Sequence, residues 1–226
     1  MSATANRQGP SPLAAFLVVL AISPIVLLIV LGAVSIGPTA ERGLLASSCA
    51  VFCALVLFEI PTMRASSSKS GSIDRGFVSG ALTIGAVFYC PAIDALWLEI
   101  AKIETGRFGL FLLGIALTAA GGGLRRLASS ELGQEFSHEI RIRDGHRLVS
   151  SGIYAHVRHP AYAGTLAVLA GMSLMLGSYI GPILLPVALF FVLKRIATEE
   201  KVLETAFPSD YPAYKARTKK LFPGIL

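Results

Sequence analysis

Apolar residues in this chain come in long unbroken runs rather than at the spacing of one helix face or one sheet face. The runs cover about 13–34, 43–63, 77–100, 108–124, 161–176 and 180–193. Most reach or approach the roughly 20 residues that a helix needs to cross a ~30 Å hydrocarbon layer. The pattern predicts an all-α multi-pass membrane protein of about six transmembrane helices. The first run is too long, and too weakly basic at its start, for a cleaved signal peptide, so it is read as a span that Pro24 kinks. The third holds Pro91 and Asp94, which predict an irregular outer end with Asp94 as a lone interfacial acid. The fourth runs into the triple glycine Gly121–Gly123 and is expected to end there. No strand precedes those glycines, so they fit close helix packing better than a dinucleotide-binding turn.

Between the fourth and fifth runs lies the longest polar stretch, about residues 125–160. The fifth and sixth are separated only by Gly177, Ser178 and Tyr179, which predicts a C-terminal helical hairpin. The sixth continues as a charged helix through Lys194–Glu204, and a polar, basic tail follows at Tyr211–Lys220. Two regions result. Residues 1–106 carry three N-terminal spans, and residues 107–226 carry spans four to six with the long loop and the tail.

Composition agrees with a bilayer and adds an orientation. Of 226 residues, 54% are hydrophobic and only 15% charged, well below the roughly 25% of soluble domains. With six spans and a cytoplasmic N-terminus, only Arg42, Lys102 and Arg107 of the 20 Lys and Arg fall outside. Positive residues favour the cytoplasmic side, so both termini, the long loop and the tail are expected there. The net charge of +6 is spread between the apolar runs, without interleaved aromatics, which suits an anionic membrane surface and not nucleic acid. Cys49, Cys53 and Cys90 all lie inside apolar runs. No CxxC pair or Cys/His cluster suggests a disulfide framework or a metal site.

Three polar groupings gather at the cytoplasmic end of the hairpin. The first is "GIYAHVRHPAYAG", residues 152–164, with Tyr154, Arg158, His159, Pro160 and Tyr162. Pro160 suits the first turn of a helix and biases His159 toward an extended conformation. His159 and Tyr162 are thereby held where free amides and the helix dipole favour an anion; anchoring at the interface is the plainer alternative. His156 has no role beyond the interface. The second grouping is Arg195, Glu199 and Glu200. Arg195 and Glu199 are four apart and share a helix face, with Glu200 turned about 100° away. The third is "HRLVSSG", residues 146–152, a loop able to offer backbone groups to a flat ring.

In this order, "HRLVSSGIYAHVRHPAYAG", an apolar hairpin, "RIATEE" and "FPSDYPAYKARTKKLFPGIL" resemble the C-terminal catalytic region of the isoprenylcysteine carboxyl methyltransferase-like family. That superfamily of membrane enzymes includes phospholipid methyltransferases. The resemblance spans about residues 132–226, and Phe136 departs from it where many bacterial relatives carry Trp. It implies an S-adenosyl-L-methionine-dependent methyltransferase with no metal, the methyl donor being held between the last helices. By motif position it implies cofactor contacts at His146, Arg147, Leu148, Val149, Tyr154, His159, Pro160, Ala161, Tyr162 and Glu199, with Arg141 helping. Arg195 matches an arginine implicated in substrate binding and methyl transfer.

Methyl transfer from a sulfonium needs alignment and exclusion of water above all. A carboxylate acceptor needs no base, whereas an amine acceptor needs one, for which Glu200 is the candidate. The expected partner is the lipid bilayer with a lipophilic or lipid acceptor, and the expected location is a bacterial inner membrane. Two other readings remain open. A sterol-type NADPH reductase shares an R-H-P-x-Y-like stretch but follows it with F-G-E, whereas here Tyr162 is followed by Ala163, Gly164 and Thr165. A non-enzymatic membrane scaffold or transporter is the other.

Overall fold

A computed structural model describes residues 43, 46–55, 85–133 and 147–223. The first predicted span, Pro24, Phe136, Arg141 and His146 lie outside the described residues, as do parts of the second and third spans. Among the described residues every regular element is helical, and strand-like pairing is limited to two isolated bridges, Lys102–Ser178 and Val157–Lys219. In chain order they are α1 (Ala46–Leu55), α2 (85–93), α3 (Arg107–Leu132), α4 (Pro160–Leu176), α5 (Ile180–Ala206) and α6 (Asp210–Arg217).

Helices α3 and α5 are each long and apolar enough to cross a membrane; α1 and α4 are apolar but shorter. At 1.5 Å per residue the 26 residues of α3 reach about 39 Å, beyond the hydrocarbon layer at one or both ends. Ile183, Val187 and Phe190 on α5, and Phe108 and Leu112 on α3, are exposed apolar side chains. In water these would be a liability; against acyl chains they are matched.

Helix α3 does not stop at the triple glycine but continues to Leu132, a correction to the predicted boundary. The glycines serve contact rather than termination. A Cβ on Gly121 would lie 2.6 Å from the Gly164 carbonyl oxygen of α4, and one on Gly164 would lie 2.6 Å from that of Gly121. Seven residues earlier on α3 and seven later on α4, Gly114 and Gly171 meet in the same way. The two helices therefore touch backbone to backbone at two levels, where dispersion contacts and absent side chains do the work of a hydrophobic core. Gly122 faces Leu55 of α1, and Gly123 faces open space.

The end that carries the hairpin turn is tied by Asp94. Helix α2 runs into a wide π-helical turn, Asp94–Leu98, and Glu99 follows at φ 51°. Asp94 is fully buried: its Oδ1 accepts from the amides of Ile100 and Ala101 at 3.0 and 3.1 Å, and its Oδ2 from Ser178 Oγ at 2.6 Å. The irregular end was expected from the sequence. The lone interfacial acid was not what formed, because the hairpin turn supplies its partner. That turn reverses at Gly177 (φ 66°), with Ile103 N–H donating to Gly177 and Tyr179 N–H to Ala101.

Between these ends, Phe52 stacks on Phe88 with ring centroids 4.1 Å apart, over Phe111, Met172 and Met175. At the other end Ala163, Ile196 and Leu221 form a smaller cluster, so the tail plugs between α4 and α5.

Candidate functional site

The site is built where α4 begins. Residues 147–150 are irregular, and a 3-10 turn, Gly152–Ala155, leads to His159, the residue before α4. Pro160 takes the first helical position, where no amide hydrogen is needed. His159 is held at φ −126° and ψ 57°, short of the fully extended form expected beside proline, because its carbonyl turns to accept from the amides of Tyr162 and Ala163. Upstream, Glu131 at the end of α3 accepts from the Ile153 amide at 2.9 Å, and its carboxylate fills the space a Cβ on Gly152 would need.

One turn into α4, the Tyr162 hydroxyl joins the hairpin's two helices. It donates to Glu199 Oε2 at 3.0 Å and accepts from Arg195 Nε at 3.1 Å. The arginine and glutamate that the sequence puts on one face of α5 are thus brought to one phenol, on the residue the resemblance singles out in α4. All three are half-buried.

Glu200 faces the other way, into a buried ion cluster. Its Oε1 accepts from Arg158 Nε at 3.0 Å and lies 3.3 Å from His159 Nε2, while its Oε2 pairs with Lys215 Nζ at 3.1 Å. This cluster lies beyond the apolar part of α5, in the charged extension that follows Leu193. Burial raises the Glu200 carboxyl's affinity for a proton. Hydrogen bonds from His159, Lys215 and Arg158 outweigh it and hold the group well below the usual carboxylate range. A carboxylate so committed is a poor proton acceptor.

Arg158 also fastens the tail. Its Nη1 donates to the Lys215 carbonyl at 3.1 Å and to the carbonyl of Thr218. The amides of Arg158 and His159 donate to Lys219 and Lys220 at 2.8 and 3.0 Å, and the Lys219 amide returns one to His156. Tyr214 Oη donates to the Tyr154 carbonyl at 2.8 Å, and Tyr154 Oη to the Ala128 carbonyl at 3.2 Å. Tyr211, one turn before Lys215 on α6, is fully buried with no hydrogen-bond partner for its hydroxyl among the described residues.

The model of the isoprenylcysteine carboxyl methyltransferase (ICMT) family matches residues 112–205. A protein-S-isoprenylcysteine O-methyltransferase from Schizosaccharomyces pombe is 37% identical over 154 residues, which are 66% of this chain and 62% of that protein. The human protein of the same description is 29% identical over 184 residues, 76% of this chain and 63% of that one. The chain thus spans less than two thirds of the length of these relatives. A solved structure described as the eukaryotic intramembrane Ras methyltransferase ICMT superposes with a TM-score of 0.58 at 21% identity, covering 94% of this chain and 75% of that one. The chain is isoprenylcysteine carboxyl methyltransferase-like.

In this isoprenylcysteine carboxyl methyltransferase-like chain, the structure brings together Tyr154, His159, Pro160, Tyr162, Arg195, Glu199 and Glu200 at one end of the hairpin. Ala161 stands between Pro160 and Tyr162 in the first turn of α4, half-buried, and its carbonyl accepts from Thr165 Oγ1 within the same helix at 3.0 Å. Arg147 is exposed, and Leu148 and Val149 are half-buried just upstream; no hydrogen bond ties their side chains to the cluster among the described residues. The matched region ends at 205, yet Tyr214, Lys215 and Thr218 of the tail complete the surroundings of His159 and Glu200. Sequence reasoning passed over them and Glu131. The signal was present in the tail as a 3,4,7 spacing from Tyr211, which puts Tyr211, Tyr214, Lys215 and Thr218 on one helix face.

Proposed function

We propose that this chain is an integral membrane methyltransferase that moves a methyl group from S-adenosyl-L-methionine to the carboxylate of a lipophilic acceptor. The observation that carries the reading is the Arg195–Tyr162–Glu199 bridge beside the start of α4. It sets one cation and one anion side by side at the end of an apolar hairpin, as a zwitterionic donor and an anionic acceptor require. Bound there, S-adenosyl-L-methionine supplies a methyl group on a sulfonium. The donor set suits it: Glu199 offers a carboxylate to an ammonium or to ribose hydroxyls, and at the first turn of α4 the Ala161 amide remains for a carboxylate, those of Tyr162 and Ala163 being bound to the His159 carbonyl. His146, Arg147, Leu148, Val149 and Tyr154 form the proposed purine side, with Arg141 contributing.

Arg195 orients the acceptor's carboxylate beside the methyl group, and the half-buried surroundings limit water. The acceptor oxygen forms the new bond to the methyl carbon as the carbon–sulfur bond breaks. The electron pair would stay on sulfur, and because a carboxylate acceptor is already ionised, no proton would need to move. That stoichiometry suits a site whose candidate base, Glu200, is held by cations, and it favours a carboxylate over an amine acceptor. The names of the relatives make a prenylated cysteine with a free carboxyl group the first acceptor to test. We further propose six spans, an N-terminal membrane region (1–106) and a catalytic region (107–226), in a bacterial inner membrane with both termini cytoplasmic.

The test supplies purified protein with methyl-labelled donor and, in parallel, a prenylated cysteine and a membrane lipid extract. Label in a base-labile methyl ester supports the reading; label in a lipid amine moves the acceptor class; no label in either, with no binding of S-adenosylhomocysteine, refutes it.

A further inference from the structure

Arg158 and Lys215 have no part in the contacts proposed for the methyl donor and acceptor, and Glu200 is left without one once it is set aside as a base. Yet they form the most heavily bonded polar cluster among the described residues. We propose that Arg158 and Glu200 are positioning residues: they clamp His159 so that its Nε2–H is committed to Glu200 and its Nδ1 is the edge offered to the bound methyl donor. The proposal rests on the methyltransferase reading for what His159 touches, but not for how the ring is held.

An ionised carboxylate only accepts hydrogen bonds, so the ring nitrogen facing Glu200 Oε1 must carry the hydrogen. His159 Nδ1 takes no hydrogen bond among the described residues, although the residue is 4% exposed. The backbone is fixed as firmly as the ring. The amides on either side of the Arg158 α-carbon–carbonyl unit, those of Arg158 and His159, both pair with consecutive tail carbonyls, and Pro160 locks the backbone into the first turn of α4.

Arg158 spans both attachments with one side chain. Nε meets the Glu200 carboxylate of α5, while Nη1 meets the carbonyls of Lys215 and Thr218 in the tail. A planar fork does this; a lysine ammonium, a single point on a flexible stem, holds one side only. Lys215 occupies the second Glu200 oxygen and is itself bound to Glu204 Oε1 at 2.8 Å, so the glutamate has no freedom to turn away from the ring. Partners of this kind, one step removed from a ligand, set the angle of the group that touches it.

The decisive measurement is a double-mutant cycle on the full chain in detergent, reading the affinity for S-adenosylhomocysteine by calorimetry. Arg158→Lys and Glu200→Gln each should weaken binding by about tenfold or more, the usual scale for such partners. In a His159→Ala background, Arg158→Lys should then cost nothing further, because the residue through which it acts is gone. A full additive loss in that background, with thermal stability falling in step, means a merely structural cluster and overturns the proposal. So does wild-type affinity in both single variants.

If the wild-type chain binds no S-adenosylhomocysteine, the functional reading fails and the clamp is judged without ligand. The 15N resonances of the His159 ring, identified by their absence in His159→Ala, should show hydrogen on Nε2 in the wild type and lose that preference in Glu200→Gln. A ring carrying its hydrogen on Nδ1 alone overturns the clamp.

Discussion

Two buried polar groups eleven residues apart, Glu200 and Tyr211, have opposite thermodynamic characters. Glu200 spends both oxygens on three partners; the Tyr211 hydroxyl has none among the described residues. Removing an unsatisfied buried hydroxyl forfeits no bond, so Tyr211→Phe is expected to leave thermal stability unchanged or to raise it by up to about 1 kcal/mol. If Tyr211→Phe instead weakens ligand binding at constant melting temperature, the hydroxyl serves the ligand. Glu200 makes a pH prediction whose sign follows from its lowered pKa. Its stabilising effect is present above the unfolded carboxylate's value of about 4.3 and is lost as pH falls through the lower folded value. Melting temperature should therefore hold down to about pH 4 and drop below it, and Glu200→Gln should flatten that acid limb. The sequence made Arg195, Glu199, His159 and Tyr162 legible, because helical spacing and a proline define where they stand. It could not show which of two adjacent glutamates would meet the cations, since Arg158 and Lys215 reach Glu200 from segments 42 and 15 residues away along the chain.

At the level of elements, the apolar runs gave the hairpin almost to the residue, since a turn of Gly177, Ser178 and Tyr179 leaves no choice. The end of α3 was misjudged because three successive glycines read as a stop by propensity, whereas their value here is the close approach of α4. The triplet also supplies its own control. Gly121→Leu must force the α3–α4 backbones apart and should cost at least about 2 kcal/mol. Gly123→Ala, two positions on and facing open space, should stabilise by about 1 kcal/mol through helix propensity alone. Unfolding of both variants in mixed micelles checks the pair, and equal effects would mean the seam is not where the helices bear on each other.

Across the whole molecule, the segment from Gly152 to His159 is held from three places: the end of α3 through Glu131 at Ile153, the extension of α5 through Glu200, and the tail through Lys215–Lys220. Only the last lies beyond the span that family likeness marks. Deleting residues from Thr218 onward removes the carbonyls that hold Arg158 and His159 and the Leu221 plug between α4 and α5. That truncation should lower the melting temperature and abolish S-adenosylhomocysteine binding together. Survival of binding would separate the tail from the site.

The glycine seam has a mechanical consequence as well. Helices that meet through side chains can slide, because rotamers yield. Helices α3 and α4 meet through backbone at two levels, and at the far end Arg107 Nη2 of α3 donates to the Leu176 carbonyl of α4 at 3.5 Å, so little can yield where they touch. A bilayer that thickens or thins is then met by α3 and α4 leaning together as one rod, since tilt is the cheap response to mismatch. The expected consequence is a constant geometry at His159 from one membrane to another, with only the angle at which the site meets the headgroups varying.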